Sequence, residues 1–259
     1  MPLVPDRTIA MPVMTEAQEA GWHALMDLYE ACPQGWALVG GQLVHLWCAE
    51  RQTFVARPTD DADAVLDVRE HPDIHYRATA VLQGMGFTAE TTSEGVQHRW
   101  VKGKAVIDLL IPRHLGEVAS NKAGAGGGRT IATPGAQKVL NRTEVVHVRV
   151  ADRVGGIPRP TLLGAIIGKA SAYTVALDGN RDRHLGDLVV LASMLQPKDV
   201  RMDLMDGLEL TRVASAVGQA RNKPATWAYV PGGAEALDRL AAVVNRHRRS
   251  RELGKLPAE

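Results

Sequence analysis

Between Ala105 and Pro112 the chain reads AVIDLLIP, an apolar run of strand length interrupted only by Asp108. A lone carboxylate in such a strand is costly to bury, so the fold must bring Asp108 to a partner. Upstream, RPTDDADAVLDV crowds Asp60, Asp61 and Asp63 ahead of a second apolar run. Asp61 and Asp63 flank Ala62, and residues two apart in a strand share a face. If the two strands are neighbours, three carboxylates converge. Such a set suits a hard cation that prefers oxygen ligands. Alternatively, Asp60 serves as a turn former or helix cap, and Asp61 is simply solvated. Asp67 lies further along the strand with no assigned role.

WALVG, residues 36–40, is a short buried strand bounded by turn residues. Gly40 and Gly41 then turn the chain into QLVHLWCAERQ, a helix over 41–52. A glycine pair there allows close backbone approach to a ligand. The free amides and positive dipole end of the helix suit a phosphate. By itself a Gly-Gly pair more often marks a tight turn. His45, beside Leu46 and Trp47, reads as a core or interface residue.

Around these segments the pattern is mixed. Residues 1–13 are proline-punctuated and read as a loose arm. Thr15 and Gln18 have capping-box spacing before a helical stretch that ends at Pro33 and Gly35. HPDIHYRATAVLQGMGF reads as a helix with Pro72 in its first turn. VQHRWVKGKAVIDLLIP reads as two strands about a tight turn at residues 102–104. Residues 121–135 are glycine-rich and read as a floppy turn or a mobile flap; no Gly-Lys-[Ser/Thr] follows, so they are not a P-loop. AQKVLNR is a short helix, TEVVHVRVA a strand, and residues 151–160 a linker. Beyond, TLLGAIIGKASAYTVAL, RHLGDLVVLASML, VRMDLMDGLELTRVASAVG and GAEALDRLAAVVNRHRRS all carry helical periodicity. The expectation is an α+β domain over 1–154, a mixed β-sheet flanked by helices, followed by a helical domain over 155–259.

Thirty basic residues against 29 acidic ones give no global case for nucleic acid, although local patches remain open. Cys32 and Cys48 fit no zinc spacing and read as buried thiols of a reducing cytoplasm. The N-terminus lacks the apolar core of a signal peptide, and no stretch reaches the roughly 20 apolar residues of a membrane span. A cytoplasmic protein without membrane contact is expected.

Taken together, VGGQLVHLW, RPTDDAD and VIDLLIP resemble the nucleotidyltransferase superfamily typified by DNA polymerase beta. Arg-x-Thr-x-Asp-x-Asp, Arg57 to Asp63 through Thr59, looks most like the AbiEii-type branch, which contains toxins of bacterial toxin–antitoxin systems. The resemblance covers roughly residues 30–195. It implies magnesium or manganese held by Asp61, Asp63 and Asp108, and a nucleoside triphosphate (NTP) as substrate. Gly40, Gly41, Arg57 and Thr59 would lie on the nucleotide side. From the helical half it adds Lys169 as a phosphate counter-charge and Asp187 as the residue that positions it. A surface lysine and a solvated helix face are the plain alternatives. Where many members have Lys-Asp-x-x-Asp, this chain has Arg183-His184-Leu185-Gly186-Asp187, so His184 replaces an acid.

The implied acceptor is a macromolecule such as the 3′ end of tRNA, with a cognate antitoxin as a further partner. A small acceptor such as an aminoglycoside, or a non-catalytic nucleotide-binding role, are the competing readings. The basic NRHRRSRELGK segment near the C-terminus either contacts RNA phosphates or is solvated.

Overall fold

The computed structural model describes residues 8–53, 57–176, 178–200 and 203–254. The chain divides between Pro160 and Thr161 into two compact units. The first is α+β and the second is helical among its described residues, as expected from the change in sequence pattern.

In the first unit β1 (Thr8–Ala10) precedes α1 (Glu16–Ala31), β2 (Trp36–Val39), α2 (Gly40–Glu50) and β3 (Asp61–Leu66). Then follow α3 (Ile74–Gly84), β4 (Thr88–Glu90), β5 (Arg99–Lys102), β6 (Ala105–Pro112) and the single turn α4 (Glu117–Ser120). β7 (Ile131–Thr133), α5 (Ala136–Leu140), β8 (Thr143–Val150) and β9 (Arg153–Pro160) complete it. One mixed sheet has the order β2-β3-β6-β5-β4, with β7 pairing β6 beyond the end of β5. A second sheet has the order β1-β8-β9.

Alternation explains how the first sheet is used. Ala62, Ala64, Trp100, Ile107 and Leu109 share one face and are fully or almost fully buried. Gly21 of α1 comes against Ala62, where a side chain would meet the sheet. Asp61, Asp63, Arg99 and Asp108 occupy the opposite face by the same period-2 rule. At the far end of that face α5 packs Ala136, Val139 and Leu140 on Ala37 and Val65. The capping box at Thr15 and Gln18 starts α1 as its spacing predicts. Trp22, Trp36 and Trp100 anchor the core, and each removes on the order of 200 Å² from water.

Several local expectations are corrected. The expected arm over 1–13 is described from Thr8 onward and forms β1, which pairs in parallel with β8. Residues 151–160 are no linker; all but the first two form β9, which pairs antiparallel with β8 along its whole length. The glycine-rich segment is tied down. Gly128 N donates to Gln97 Oε1 at 3.0 Å, Ala125 N to Thr79 Oγ1 at 2.8 Å, and Thr130 Oγ1 to the Leu109 carbonyl at 2.5 Å. Pro72 lies outside α3, which starts at Ile74 after Asp73. Asp67 falls just past β3 and accepts from Glu70 N in a turn.

In the second unit α6 (Leu162–Ala172), α7 (Arg183–Ser193), α8 (Gly207–Asn222) and α9 (Gly233–Leu253) bury Leu163, Ile166, Leu188, Val213 and Leu240 completely. The helix expected from Val200 begins only at Gly207, where Asp206 caps it and Glu209 closes a capping box; positions 201 and 202 lie outside the described residues. Among the described residues no helix is long and apolar enough to cross a membrane.

Candidate active site

β3 and β6 run parallel in a register that sets Asp63 directly beside Asp108, with Asp61 two residues upstream on the same face. One carboxylate oxygen from each of the three lies within 4.8 Å of the others. Asp108 is buried, 7% exposed, whereas Asp61 and Asp63 are half-buried. The chain thus brings together the aspartates that the strand pattern proposed.

β2 delivers the glycine pair to the same place, because Val39 is the register partner of Asp63. Gly40 has φ +69°, and a Cβ there would overlap the Asp63 carboxylate. A Cβ on Gly41 would overlap the Thr59 side chain. Both glycines therefore serve close approach, and α2 spans Gly40–Glu50 rather than residues 41–52. Its first backbone amides are beside the acidic strand.

The loop before β3 is held by buried polar groups. Thr59 Oγ1 donates to Asp61 Oδ1 at 2.6 Å. The Thr59 carbonyl accepts from Gln18 Nε2 at 2.8 Å and Gln42 Nε2 at 2.7 Å. Trp22 Nε1 in turn donates to Gln42 Oε1 at 3.0 Å. His45 Nε2 donates to the Arg57 carbonyl at 2.8 Å, so His45 is a brace of this loop rather than simple core. Asp60 is exposed and accepts from Thr15 Oγ1 at 3.2 Å, local chemistry at the start of α1.

Sequence reasoning missed Arg99. Its Nε donates to Asp108 Oδ1 at 2.9 Å and its Nη2 to Asp108 Oδ2 at 2.7 Å, a two-pronged pair. Nη2 also lies 3.8 Å from Asp61 Oδ2. The hydrogen bonds to Asp108 push the guanidinium pKa up, so it stays charged. The signal was available: a turn at Gly103-Lys104 pairs Lys102 with Ala105 and therefore Arg99 with Asp108. Gln18 and Gln42 were also missed, because their role depends on where a distant carbonyl falls.

Lys169 and Asp187 belong to the helical unit, and there they pair with each other. Lys169 Nζ is 2.6 Å from Asp187 Oδ2, and both side chains are buried. Neither a surface lysine nor a solvated helix face describes them. His184 Nε2 meets Asp178 Oδ2 at 3.0 Å. Burial, with Lys169 and Arg183 nearby, pushes the His184 pKa down to about 4, so the ring is neutral at pH 7.

No protein-family model matches the chain, and no curated protein matches it. Among solved structures it is similar to an antigenic nucleotidyltransferase-like protein from Paracoccidioides brasiliensis, with TM-score 0.48 and 12% identity over 88% of this chain and 95% of that one. It is also similar to the antibiotic-resistance factor ANT(2'')-Ia, with TM-score 0.40 and 14% identity over 82% of this chain and 95% of that one.

Proposed function

We propose that this chain is a nucleotidyltransferase that moves a nucleoside monophosphate from an NTP to an acceptor hydroxyl. The observation that carries the reading is the row in which Asp63 faces Asp108, with Asp61 on the same face and Gly40 against Asp63.

The donor set fits magnesium or manganese, since all three groups offer carboxylate oxygen. Arg99 already stands there as a positive charge. A bound divalent ion would supply Lewis-acid charge to the phosphoryl oxygens. Asp61 and Asp63 would hold it on the triphosphate side, and Asp108 would face the incoming hydroxyl. The acceptor oxygen bonds to the α-phosphorus, the bond from that phosphorus to the bridging oxygen breaks, and pyrophosphate leaves. The hydroxyl proton passes to a carboxylate and then to solvent. Amides at the start of α2, freed for close approach by Gly40 and Gly41, would bind phosphate oxygens. Thr59 fixes the Asp61 carboxylate, and Arg57 provides phosphate-side charge. Lys169 and Asp187 enter as the buried pair that joins α6 to α7.

In this reading the acceptor is RNA, the 3′ end of tRNA, and the chain acts in the cytoplasm as a toxin restrained by an antitoxin. Exposed Arg246, Arg248, Arg249 and Arg251 on α9 support an RNA partner.

The test is incubation with magnesium, labelled NTPs, and pooled tRNA or aminoglycosides, comparing wild type with Asp61→Asn/Asp63→Asn. Label on tRNA from wild type alone is the expected result. Label on an aminoglycoside would replace the acceptor, and no transfer or triphosphate binding would overturn the activity. Expression in bacteria should arrest growth with wild type and spare it with the double variant.

A further inference from the structure

Asp63, Asp108, Arg99 and Glu90 occupy consecutive positions in one row across β3, β6, β5 and β4. Register partners in a sheet project to the same side, so these four charges form a line. Arg99 stands between two acids. On its inner side it holds Asp108 through two hydrogen bonds and approaches Asp61 at 3.8 Å. On its outer side is Glu90, exposed on the edge strand.

We propose that Arg99 is a displaceable counter-cation of the carboxylate site, competing with a divalent cation for Asp108 and passing to Glu90 when the cation binds. The inference rests on the reading of Asp61, Asp63 and Asp108 as a cation site.

A divalent ion that takes an Asp108 oxygen removes an acceptor from the guanidinium fork, and two positive centres that share one carboxylate repel each other. Arg99 does not relieve this by losing its proton, since arginine stays charged in proteins. It must move. Asp108 has little freedom, with its side chain 10% exposed, whereas the Arg99 side chain is 37% exposed and keeps a solvent-facing route. Glu90 gives the released charge an acceptor one strand away. The pair therefore gives Asp108, a buried carboxylate close to two other acids, a counter-charge until a cation arrives. The same pair weakens the site for that cation. Arg99 is a positioning residue in this scheme, acting through Asp108.

Manganese binding to the full-length protein, followed by electron paramagnetic resonance without nucleotide, tests this. Arg99→Gln should tighten manganese binding at least tenfold. Glu90→Gln should weaken it severalfold in wild type and much less in the Arg99→Gln background, because the second seat matters only while Arg99 needs one. Unchanged or weaker binding by Arg99→Gln, while Asp61→Asn/Asp63→Asn still abolishes binding, would overturn the counter-cation role and leave the cation site standing. Manganese binding that ignores Asp61→Asn/Asp63→Asn would overturn the site reading and the inference with it. Wild type gives an independent check if Arg99→Gln fails to fold. The Arg99 Nε–H signal, protected from exchange by Asp108, should lose protection as magnesium is added. Protection that survives saturating magnesium would also overturn the proposal.

Discussion

The Asp63 carboxylate lies against Gly40, in space that any side chain at position 40 would claim. Gly40 also sits at φ +69°, a conformation that costs other residues roughly 1–2 kcal/mol. Gly40→Ala should therefore act mainly by pushing Asp63 out of line with Asp108. The proposed nucleotidyl transfer should fall at least a hundredfold while the protein stays folded. Circular dichroism melts alongside label transfer check this, and near-normal transfer would contradict the close-approach role.

Thr59 shapes the site through one hydroxyl. Thr59→Val keeps the methyl that meets Gly41 and removes the 2.6 Å bond to Asp61. Partners that orient metal-ligating carboxylates are worth about 10–100-fold in metal affinity. Manganese affinity at the proposed cation site should fall by about tenfold, with stability changed by no more than about 1.5 kcal/mol. Titration calorimetry and urea melts separate the two effects.

The Lys169–Asp187 pair should behave as a buried ion pair. Lys169→Met removes the cation 2.6 Å from the buried Asp187 carboxylate and should cost about 3–5 kcal/mol. Lys169→Met/Asp187→Asn should recover more than half of that, since the buried negative charge is removed together with its cation. Urea unfolding of wild type and both variants measures it, and a double variant no better than the single one would contradict the account.

His184 makes stability pH-dependent. Its pKa is about 4 in the fold, below its ordinary value of 6.5. Between those values the unfolded chain binds a proton that the folded chain does not, so stability present above pH 6.5 is lost as pH falls toward 4. The slope from this group is at most about 1.4 kcal/mol per pH unit. His75 and His247, also lowered by burial, act in the same direction. Melting points from pH 7 to 4.5 should fall less steeply for His184→Asn than for wild type. The Asp178, Lys169, Arg183 and Asp187 charges around the ring would then be read in its absence. Equal slopes would contradict the depressed pKa.

Some of this protein was determined by sequence alone. The capping box of α1, the alternation in DADAVL, the apolar run around Asp108 and the glycine pair before α2 are local patterns. Local backbone preference and side-chain period produce them wherever they occur. They were sufficient to propose the three aspartates and the change from α+β to helical structure. Other features were decided by tertiary structure. β3 had to pair in parallel with β6 before Asp63 could face Asp108. Proline and glycine made residues 151–160 look like a linker, yet β8 supplies partners and makes a strand of them. The glycine-rich segment is tied down because Gln97, Thr79 and Leu109 offer it hydrogen bonds from elsewhere in the chain. Lys169 is buried because Asp187, 18 residues on, neutralises it there. The physical reason is common to all four. A residue's own chemistry sets what it prefers locally, whereas strand partner, burial and counter-charge depend on groups that only the folded chain brings near.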